Sequence, residues 1–168
     1  SVGNFVYTTT NSWLDYTSKD IEFPSSAYNV PIKVLKDNRF SIADYDHGKC
    51  YFTVSTNGIE WQRYLVGDFY PNRIYFIDDE IGFITGGKLN EGDTKDDMIY
   101  KTTDGGNSWY EVLNQYNQPS WGIYDIILAG NKYGIATSKA GIVYNSADQG
   151  ETWELDILKQ VEQTVFPT

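Results

Sequence analysis

The sequence predicts an all-β fold made of repeated antiparallel strands. Aromatic residues make up 16% of the chain and 14 of them are Tyr, a composition that suits half-buried strands and argues against disorder. Short apolar runs alternate with Asp, Asn and Gly, whereas no helical period of useful length is present. A motif of eight residues also occurs twice, which indicates an internal repeat.

Length and charge narrow the functional classes. At 168 residues the chain is long enough for one domain with a core. It has 23 acidic and 13 basic residues, and this net charge of −10 makes nucleic acid and anionic membranes poor partners. No apolar run approaches the roughly 18 residues of a membrane helix, so we expect no membrane insertion. The chain begins with Ser and no signal-like segment, so we expect a processed chain or an excised piece.

The repeated motif has the pattern S/T-x-D-x-G-x-S/T-W. It spans residues 102–109 and again 146–153, so that its two Trp residues lie 44 positions apart. A short Asp in a turn can accept hydrogen bonds from backbone N–H groups just ahead of it. The Gly supplies the positive φ of a tight hairpin turn, and the Trp packs as the chain leaves the turn. The motif therefore predicts a self-closed turn.

Two weaker copies extend the repeat. Residues 55–61 are one residue shorter and carry Asn57 in place of the Asp, and Asn can make the same turn. Residues 5–13 keep only the spacing: their Trp lies 48 residues before Trp61, as Trp61 does before Trp109. The residues assigned to the three clearer turns are Ser55, Asn57, Gly58, Trp61, Thr102, Asp104, Gly106, Trp109, Ser146, Asp148, Gly150 and Trp153.

This motif resembles the Asp box, or BNR repeat. The family that carries it includes sialidases, sortilin-type receptors, xyloglucan-cleaving glycosidases and a group of photosystem assembly factors. In that family the box is the hairpin between the third and fourth strands of a β-propeller blade, so the resemblance implies a β-propeller. It does not imply an enzyme, because the family's box is structural and lies away from the catalytic centre. The non-catalytic assembly-factor and receptor branches are the most similar.

Each repeat is predicted to contain four short strands, which is the spacing of propeller blades. The expected strands are 32–35, 39–43, 50–54 and 61–65; then 73–77, 81–85, 98–101 and 109–113; then 123–128, 133–137, 142–145 and 153–158. We therefore expect one domain of about three and a half blades. Its parts are a partial blade over 1–18, whole blades over about 19–66, 67–114 and 115–160, and a tail over 161–168.

Such an arc does not close by itself, which leaves two alternatives. The edges formed by residues 5–18 and 150–166 can meet further blades, from a larger parent or from a second subunit. Otherwise residues 161–166 pair with the N-terminal strand and close a small four-bladed ring. We favour the first alternative, because four blades is the small end of the known range and one strand closes the gap poorly.

The loops at the end opposite the motif turns form the family's ligand face, so we expect ligands there. Aromatic side chains beside carboxylates can stack on and hydrogen-bond a sugar, although the solvated loops of any acidic protein have a similar composition. The candidate ligand-binding residues are Asp44, Asp46, Tyr70, Arg73, Tyr116 and Trp121. The same predicted loops contain His47, Glu91, Asp93, Asp96 and Asp97.

The sequence offers no convincing metal site. Residues 90–97 are rich in oxygen ligands, but they lack the order of an EF-hand and include Lys95, so a solvated insertion is favoured over calcium. His47 and Cys50 are three residues apart, with no second pair to complete a zinc site. Cys50 is the only Cys, which excludes an internal disulfide and leaves the redox compartment open.

The sequence also offers no convincing catalytic site. Sialidase chemistry needs three arginines that converge on the substrate carboxylate. The chain has only Arg39, Arg63 and Arg73, and Arg63 falls in a predicted outer strand. A pair of carboxylates for glycoside hydrolysis stays an open alternative, because the sequence does not give the distance between two carboxyl groups.

We therefore expect a non-catalytic propeller scaffold that binds a protein or a glycan through the loop face opposite the boxes. The alternative is part of a sialidase-like or other glycoside hydrolase propeller whose remaining catalytic residues lie outside this chain. We expect no cofactor, no metal and no nucleic-acid partner. The expected location is extracellular, periplasmic or at the cell surface.

Overall fold

The computed structural model describes residues 5–8, 17–20, 32–89, 95–120, 122–130, 132–138 and 140–156. Within these ranges the protein contains 14 β-strands and no helix, which confirms the predicted all-β class. No segment of the described ranges is a helix long and apolar enough to span a membrane.

The strands form one pair and three sheets of four. The pair joins β1 (Phe5–Thr8) and β2 (Thr17–Asp20). Sheet I contains β3 (Ile32–Val34), β4 (Phe40–Asp46), β5 (Lys49–Ser55) and β6 (Gln62–Gly67). Sheet II contains β7 (Tyr70–Phe76), β8 (Gly82–Leu89), β9 (Lys95–Thr102) and β10 (Tyr110–Ser120). Sheet III contains β11 (Ile123–Ala129), β12 (Tyr133–Ser138), β13 (Val143–Ser146) and β14 (Glu154–Asp156).

Each of the three large sheets is an antiparallel meander, with its strands hydrogen-bonded in chain order. Turns in a meander alternate between the two ends of the sheet, so the three motif turns all lie at one end, here called the box end. The N–H of Gly105 donates to the carbonyl of Glu80 at 2.9 Å, and that of Gln149 donates to Lys132 at 2.8 Å. These bonds join motif turns to the turns between first and second strands, which therefore share the box end.

Sheet II lies between the other two sheets. The first six residues of β8 are all buried, because this strand is covered on both faces. In β12 of sheet III, by contrast, buried and more exposed residues alternate, as expected for a sheet covered on one face. The core accordingly has two parts. The part between sheets I and II includes Phe52, Phe69 and Ile84, and the part between sheets II and III includes Phe83, Ile126 and Tyr144.

Several polar residues that the sequence suggested for loops lie in strands instead. The β4–β5 turn needs only His47 and Gly48, and the pairing of β8 with β9 continues as far as Leu89 and Lys95. The strands are therefore longer than the apolar runs that predicted them. The residues concerned are Asp44 and Asp46 in β4, Tyr70 and Arg73 in β7, Asp96 and Asp97 in β9, and Tyr116 in β10.

Candidate functional site

The third motif turn is closed by the carboxylate of Asp148. Its Oδ1 accepts the backbone N–H groups of Glu151 and Thr152 at 3.1 and 3.0 Å, and its Oδ2 accepts the Thr152 hydroxyl at 2.6 Å. The Ser146 hydroxyl donates to Asp148 at 2.8 Å and accepts the N–H of Gly150 at 2.9 Å. The bonds from Thr152 above all lower the pKa of Asp148 to about 2, because they favour its ionised form.

The second motif turn repeats these contacts. Asp104 accepts the N–H of Ser108 at 2.9 Å and its hydroxyl at 2.5 Å. The Thr102 hydroxyl donates to Asp104 at 2.8 Å and accepts the N–H of Gly106 at 3.0 Å. Burial acts to raise the pKa of Asp104, but the hydrogen bonds from Ser108 outweigh it and lower that pKa.

The first motif turn uses Asn57 in the same way. Its side-chain oxygen accepts the N–H groups of Ile59 and Glu60, both at 2.9 Å, and the Ser55 hydroxyl accepts the N–H of Gly58 at 2.8 Å. The predicted replacement of Asp by Asn therefore keeps the local bonds, because the backbone groups need only an acceptor oxygen.

The Trp that ends each motif is tied to its own turn. The indole Nε1 donates to the carbonyl of the motif Gly at 3.3 Å for Trp61, 3.0 Å for Trp109 and 3.2 Å for Trp153. The three side chains differ in depth, however. Trp153 is 9% exposed, whereas Trp61 and Trp109 are only half-buried. They are thus equivalent in their hydrogen bond and unequal in their packing.

The motif turns also join neighbouring sheets. Gly150 has φ +77°, and a Cβ there would lie 2.7 Å from the ring of Phe83 in sheet II. Gly106 has φ +93°, and a Cβ there would clash with the ring of Phe52 in sheet I. Trp153 meets Phe83 edge-on, with ring centroids 6.5 Å apart. Because Gly106 and Gly150 have no side chain, each leaves room for an aromatic ring of the preceding sheet.

Two basic side chains bind backbone carbonyls of the motif turns from the preceding sheet. Lys101 is 1% exposed, and its ammonium donates to the Gln149 carbonyl at 3.0 Å and to Glu151 at 2.6 Å. Arg39 donates to the Gly105 carbonyl at 3.2 Å. The carbonyl groups of Gly105 and Gln149 are therefore used in contacts between sheets.

An open groove lies at the other end of the molecule, where sheets I and II meet. Its volume is about 390 Å³. Three connections and strand ends build it: the β4–β5 turn, the link between β6 and β7, and the end of β8. The groove is lined by Tyr45, His47, Gly48, Lys49, Asp68, Phe69, Tyr70, Lys88 and Leu89.

A tight hairpin turn forms one wall of the groove. His47 has φ 45° and Gly48 has φ 89°, as the two central residues of a type I′ turn require. The Nδ1 atom of the His47 imidazole forms a hydrogen bond with the carboxylate of Asp46, and the His47 side chain is 91% exposed. The turn thus presents an imidazole to solvent at the mouth of the groove.

Aromatic rings form the base of the groove. Tyr45 and Tyr70 stack with centroids 3.7 Å apart and an angle of 24° between the rings. Phe69, which is 1% exposed, stacks on Tyr100 at 4.8 Å. Burial, followed by the hydrogen bond with Tyr70, raises the pKa of Tyr45 to about 12. This phenol therefore stays protonated at neutral pH, and the base of the groove is uncharged and tightly packed.

The charged groups of the groove are unevenly paired. The Lys49 ammonium lies 2.9 Å from the Asp68 carboxylate, and their hydrogen bond raises the pKa of Lys49. Among the described residues, the Lys88 ammonium has no hydrogen-bond or ion-pair partner. Leu89, next to it, is 47% exposed. The groove therefore places the Lys88 ammonium, which has no ion-pair partner among the described residues, beside the exposed apolar side chain of Leu89.

The structure removes Asp44 from the candidate ligand-binding residues. It is completely buried, and it binds the Arg63 guanidinium and the Thr53 hydroxyl, the latter at 2.6 Å. Arg63 in turn lies 3.7 Å above the ring of Tyr51. The prediction of a loop carboxylate was wrong here, because Asp44 faces the interior and an ion pair within sheet I satisfies it.

The other candidates are dispersed. Asp46 contacts His47 and, at 3.5 Å, Arg63. Arg73 pairs with Asp125 of sheet III at 3.1 Å. Tyr70 is the one candidate that lines the groove, since Tyr116 is described only as part of β10 and Trp121 lies outside the described residues.

Most of the groove could not be predicted from the sequence. Tyr45, Lys49, Asp68, Lys88 and Leu89 have no shared motif. One signal was present for Tyr45: it stands between two acidic residues in an alternating strand, so its side chain must point to the face opposite theirs. The rest come from chain segments about 20 residues apart, which only the packing of two sheets brings together.

Several residues that the sequence suggested for metal binding or catalysis make other contacts. Asp96 and Asp97 are buried in β9, and Asp97 accepts the Tyr144 hydroxyl of sheet III at 2.7 Å, while residues 90–94 lie outside the described ranges. Within the described part of the chain, no three His, Cys, Asp or Glu side chains come together as metal ligands. Arg39, Arg63 and Arg73 pair with three different carboxylates, those of Asp37, Asp44 and Asp125.

Comparisons with known proteins identify the fold. Neither a protein-family model nor a curated protein matches the chain. A solved structure described as YCF48 bound to D1 peptide is similar with a TM-score of 0.57 and 20% identity, over 80% of this chain and 42% of that one. YCF48 from Cyanidioschyzon merolae is similar with a TM-score of 0.53 and 15% identity, over 79% and 38%.

The present chain thus spans about two fifths of the length of these neighbours. The neighbours are β-propellers, and sheets I to III correspond to about three four-stranded blades. The similarity establishes the fold: this chain is a partial β-propeller, as its repeat predicted.

Proposed function

We propose that this chain is a non-catalytic scaffold that binds another protein, as an extended peptide, in the groove at the end opposite the motif turns. The groove itself is the observation that carries this proposal. It combines a packed aromatic base, exposed Leu89 and an unused Lys88 ammonium, and ligand sites generally place a few polar groups on mainly apolar walls.

The comparison with known structures supports a protein ligand. One similar propeller, YCF48, was solved with a D1 peptide bound. A shared fold does not transfer a ligand, but it does show that this architecture can hold a peptide. We further propose that the motif turns are Asp boxes with a structural role, and that the protein acts outside the cytoplasm.

Two features favour this proposal over glycan binding or glycoside hydrolysis. Sugar binding needs a free aromatic face. The rings of Tyr45 and Tyr70 stack on each other, so each ring has one face covered by the other. Sialidase-type hydrolysis needs converging arginines, and each arginine here pairs with its own carboxylate. The groove is therefore better suited to side chains of a peptide than to a sugar ring.

We also propose that the free face of sheet III receives a further four-stranded sheet, from a longer polypeptide or a second subunit. Tyr133 and Ile135 on this face are 58% and 48% exposed. Ile135 corresponds in the repeat to Phe83, which Gly150 and Trp153 of the next sheet cover. Continuing the repeat would cover Ile135 in the same way. We expect light scattering to show self-association, and Ile135→Lys to abolish it; a parent chain that stays monomeric at high concentration would count against a second subunit.

Nuclear magnetic resonance tests the main proposal directly. A pool of extended peptides is titrated into isotope-labelled protein, and the shifted amide signals are mapped. We expect shifts at residues 45–49, 68–70 and 88–89, and none at residues 102–109 or 146–153. A fluorogenic glycoside panel serves as the counter-test. Turnover of any glycoside, or peptide shifts confined to the motif turns, would contradict the proposal.

A further inference from the structure

We infer that the groove selects an acidic peptide, with one ligand carboxylate held by Lys88 and a neighbouring apolar side chain packed against Leu89. This inference rests on the proposed function, because it names the kind of peptide that the same groove binds. It follows from the charges of the groove, from how those charges are already paired, and from the apolar surface beside them.

The groove is locally cationic in an acidic protein. Among the described residues of its lining, Lys49 and Lys88 carry positive charge and Asp68 carries negative charge, and Asp68 is paired with Lys49. The whole chain has 23 acidic and 13 basic residues. A negatively charged peptide is therefore repelled by most of the surface and attracted here, which directs it to this end of the molecule.

The existing ion pair determines how many carboxylates the groove can take. Lys49 is already bound to Asp68 at 2.9 Å, so an incoming acid would compete with Asp68 for the same ammonium group. Lys88 has no such partner among the described residues. A carboxylate is the strongest hydrogen-bond acceptor that a peptide offers to an ammonium group. The groove is thus suited to one acidic residue and disfavours a run of them.

The apolar surface determines the neighbour of that acid. Leu89 follows Lys88 directly and is 47% exposed, and the stacked Tyr45 and Tyr70 line the same groove. Packing on rigid aromatic rings loses little conformational entropy in the protein, so an apolar side chain of the ligand gains most of its burial free energy. The expected ligand therefore has an acidic residue beside Leu, Phe or Tyr.

Two peptide libraries test this inference by fluorescence anisotropy. The first contains blocked, fluorescein-labelled hexapeptides with one Asp or Glu beside Leu, Phe or Tyr. The second replaces the acid with Asn or Gln, which keeps the size and removes the charge. We expect the acidic library to bind about fivefold more tightly at low salt, the upper range for a partly exposed ion pair. High salt should reduce this preference.

Matched variants locate the effect. Lys88→Gln should abolish the preference for the acidic library, and Lys88→Arg should keep it. Lys132→Gln is the control, because it removes the same charge from an exposed position at the box end. Asp68→Asn releases Lys49 and should raise the affinity for peptides with two acids. None of the three positions is buried, and thermal unfolding checks that the four variants fold.

The outcomes separate the two proposals. Equal affinity for both libraries would overturn the acidic preference and leave the peptide-binding function standing. An equal loss of preference in Lys88→Gln and Lys132→Gln would show a general charge effect and would also overturn it. Binding of anionic oligosaccharides with no binding of either library would overturn both.

Discussion

The contact between motif turns and neighbouring sheets can be tested at Gly150. An Ala there has two separate costs. Its φ of +77° lies in the left-handed region, which costs an L-residue about 1–2 kcal/mol. Its Cβ would also lie 2.7 Å from two ring atoms of Phe83, and overpacking of this kind costs about 1–3 kcal/mol. We therefore expect Gly150→Ala to lower the free energy of unfolding by about 2–5 kcal/mol.

A second Gly separates the two costs. Gly141 has φ +81°, and a Cβ there would meet no atom within 4 Å. Gly141→Ala should therefore carry only the backbone cost of about 1–2 kcal/mol. Both variants are measured by urea unfolding at pH 7, with equal slopes taken as a sign that the denatured state is unchanged.

A double-mutant cycle with Phe83→Leu then tests the contact itself. Leu lacks the ring atoms that a Cβ at position 150 would meet, so the excess cost of Gly150→Ala should disappear in the double variant, as a coupling of about 1–3 kcal/mol. If Gly150→Ala costs no more than Gly141→Ala, or if the cycle shows no coupling, position 150 does not pack closely against the Phe83 ring of sheet II, and the reasoning is refuted.

Two further predictions concern charged groups. The folded pKa of Asp148, about 2, lies below the ordinary value of 3.8, so its contribution to stability is present above pH 3.8 and is lost as the pH falls through about 2. Urea unfolding from pH 6 to 2 should show a smaller acid loss in Asp148→Asn than in the parent chain; identical profiles would refute the local bonding. Arg63→Met should cost on the order of 3 kcal/mol at pH 7, because it leaves the buried Asp44 carboxylate without its cation. Adding Asp44→Asn should recover much of this loss, and an Arg63→Met variant as stable as the parent would contradict the role of the pair.

The motif turns were predictable because their bonds are local. Asp148 binds groups at positions 151 and 152, so the residue types and their spacing suffice to specify the turn. The same holds for Asn57, whose side-chain oxygen does what the carboxylates do elsewhere. The order of strands was also predictable, since each apolar run between turn residues became a strand of a meander.

Side-chain environment was less predictable than strand position. Asp44 and Asp46 both resemble solvated loop residues in sequence, but one is fully buried and the other binds Arg63 and His47. The difference depends on how far β4 and β5 continue before they turn, and on the guanidinium that β6 places beside them. Pairing register of this kind is a property of several strands together.

The sequence by itself determined the repeat, the turns at one end and the all-β class, because each depends on contacts within a few residues or on the alternation of apolar runs. Only the tertiary structure decided where a ligand site can be. The groove joins Tyr45 and Lys49 of one sheet to Tyr70 and Lys88 of the next, and the base rings stack across the junction. No local pattern encodes that meeting, since it depends on how two finished sheets pack.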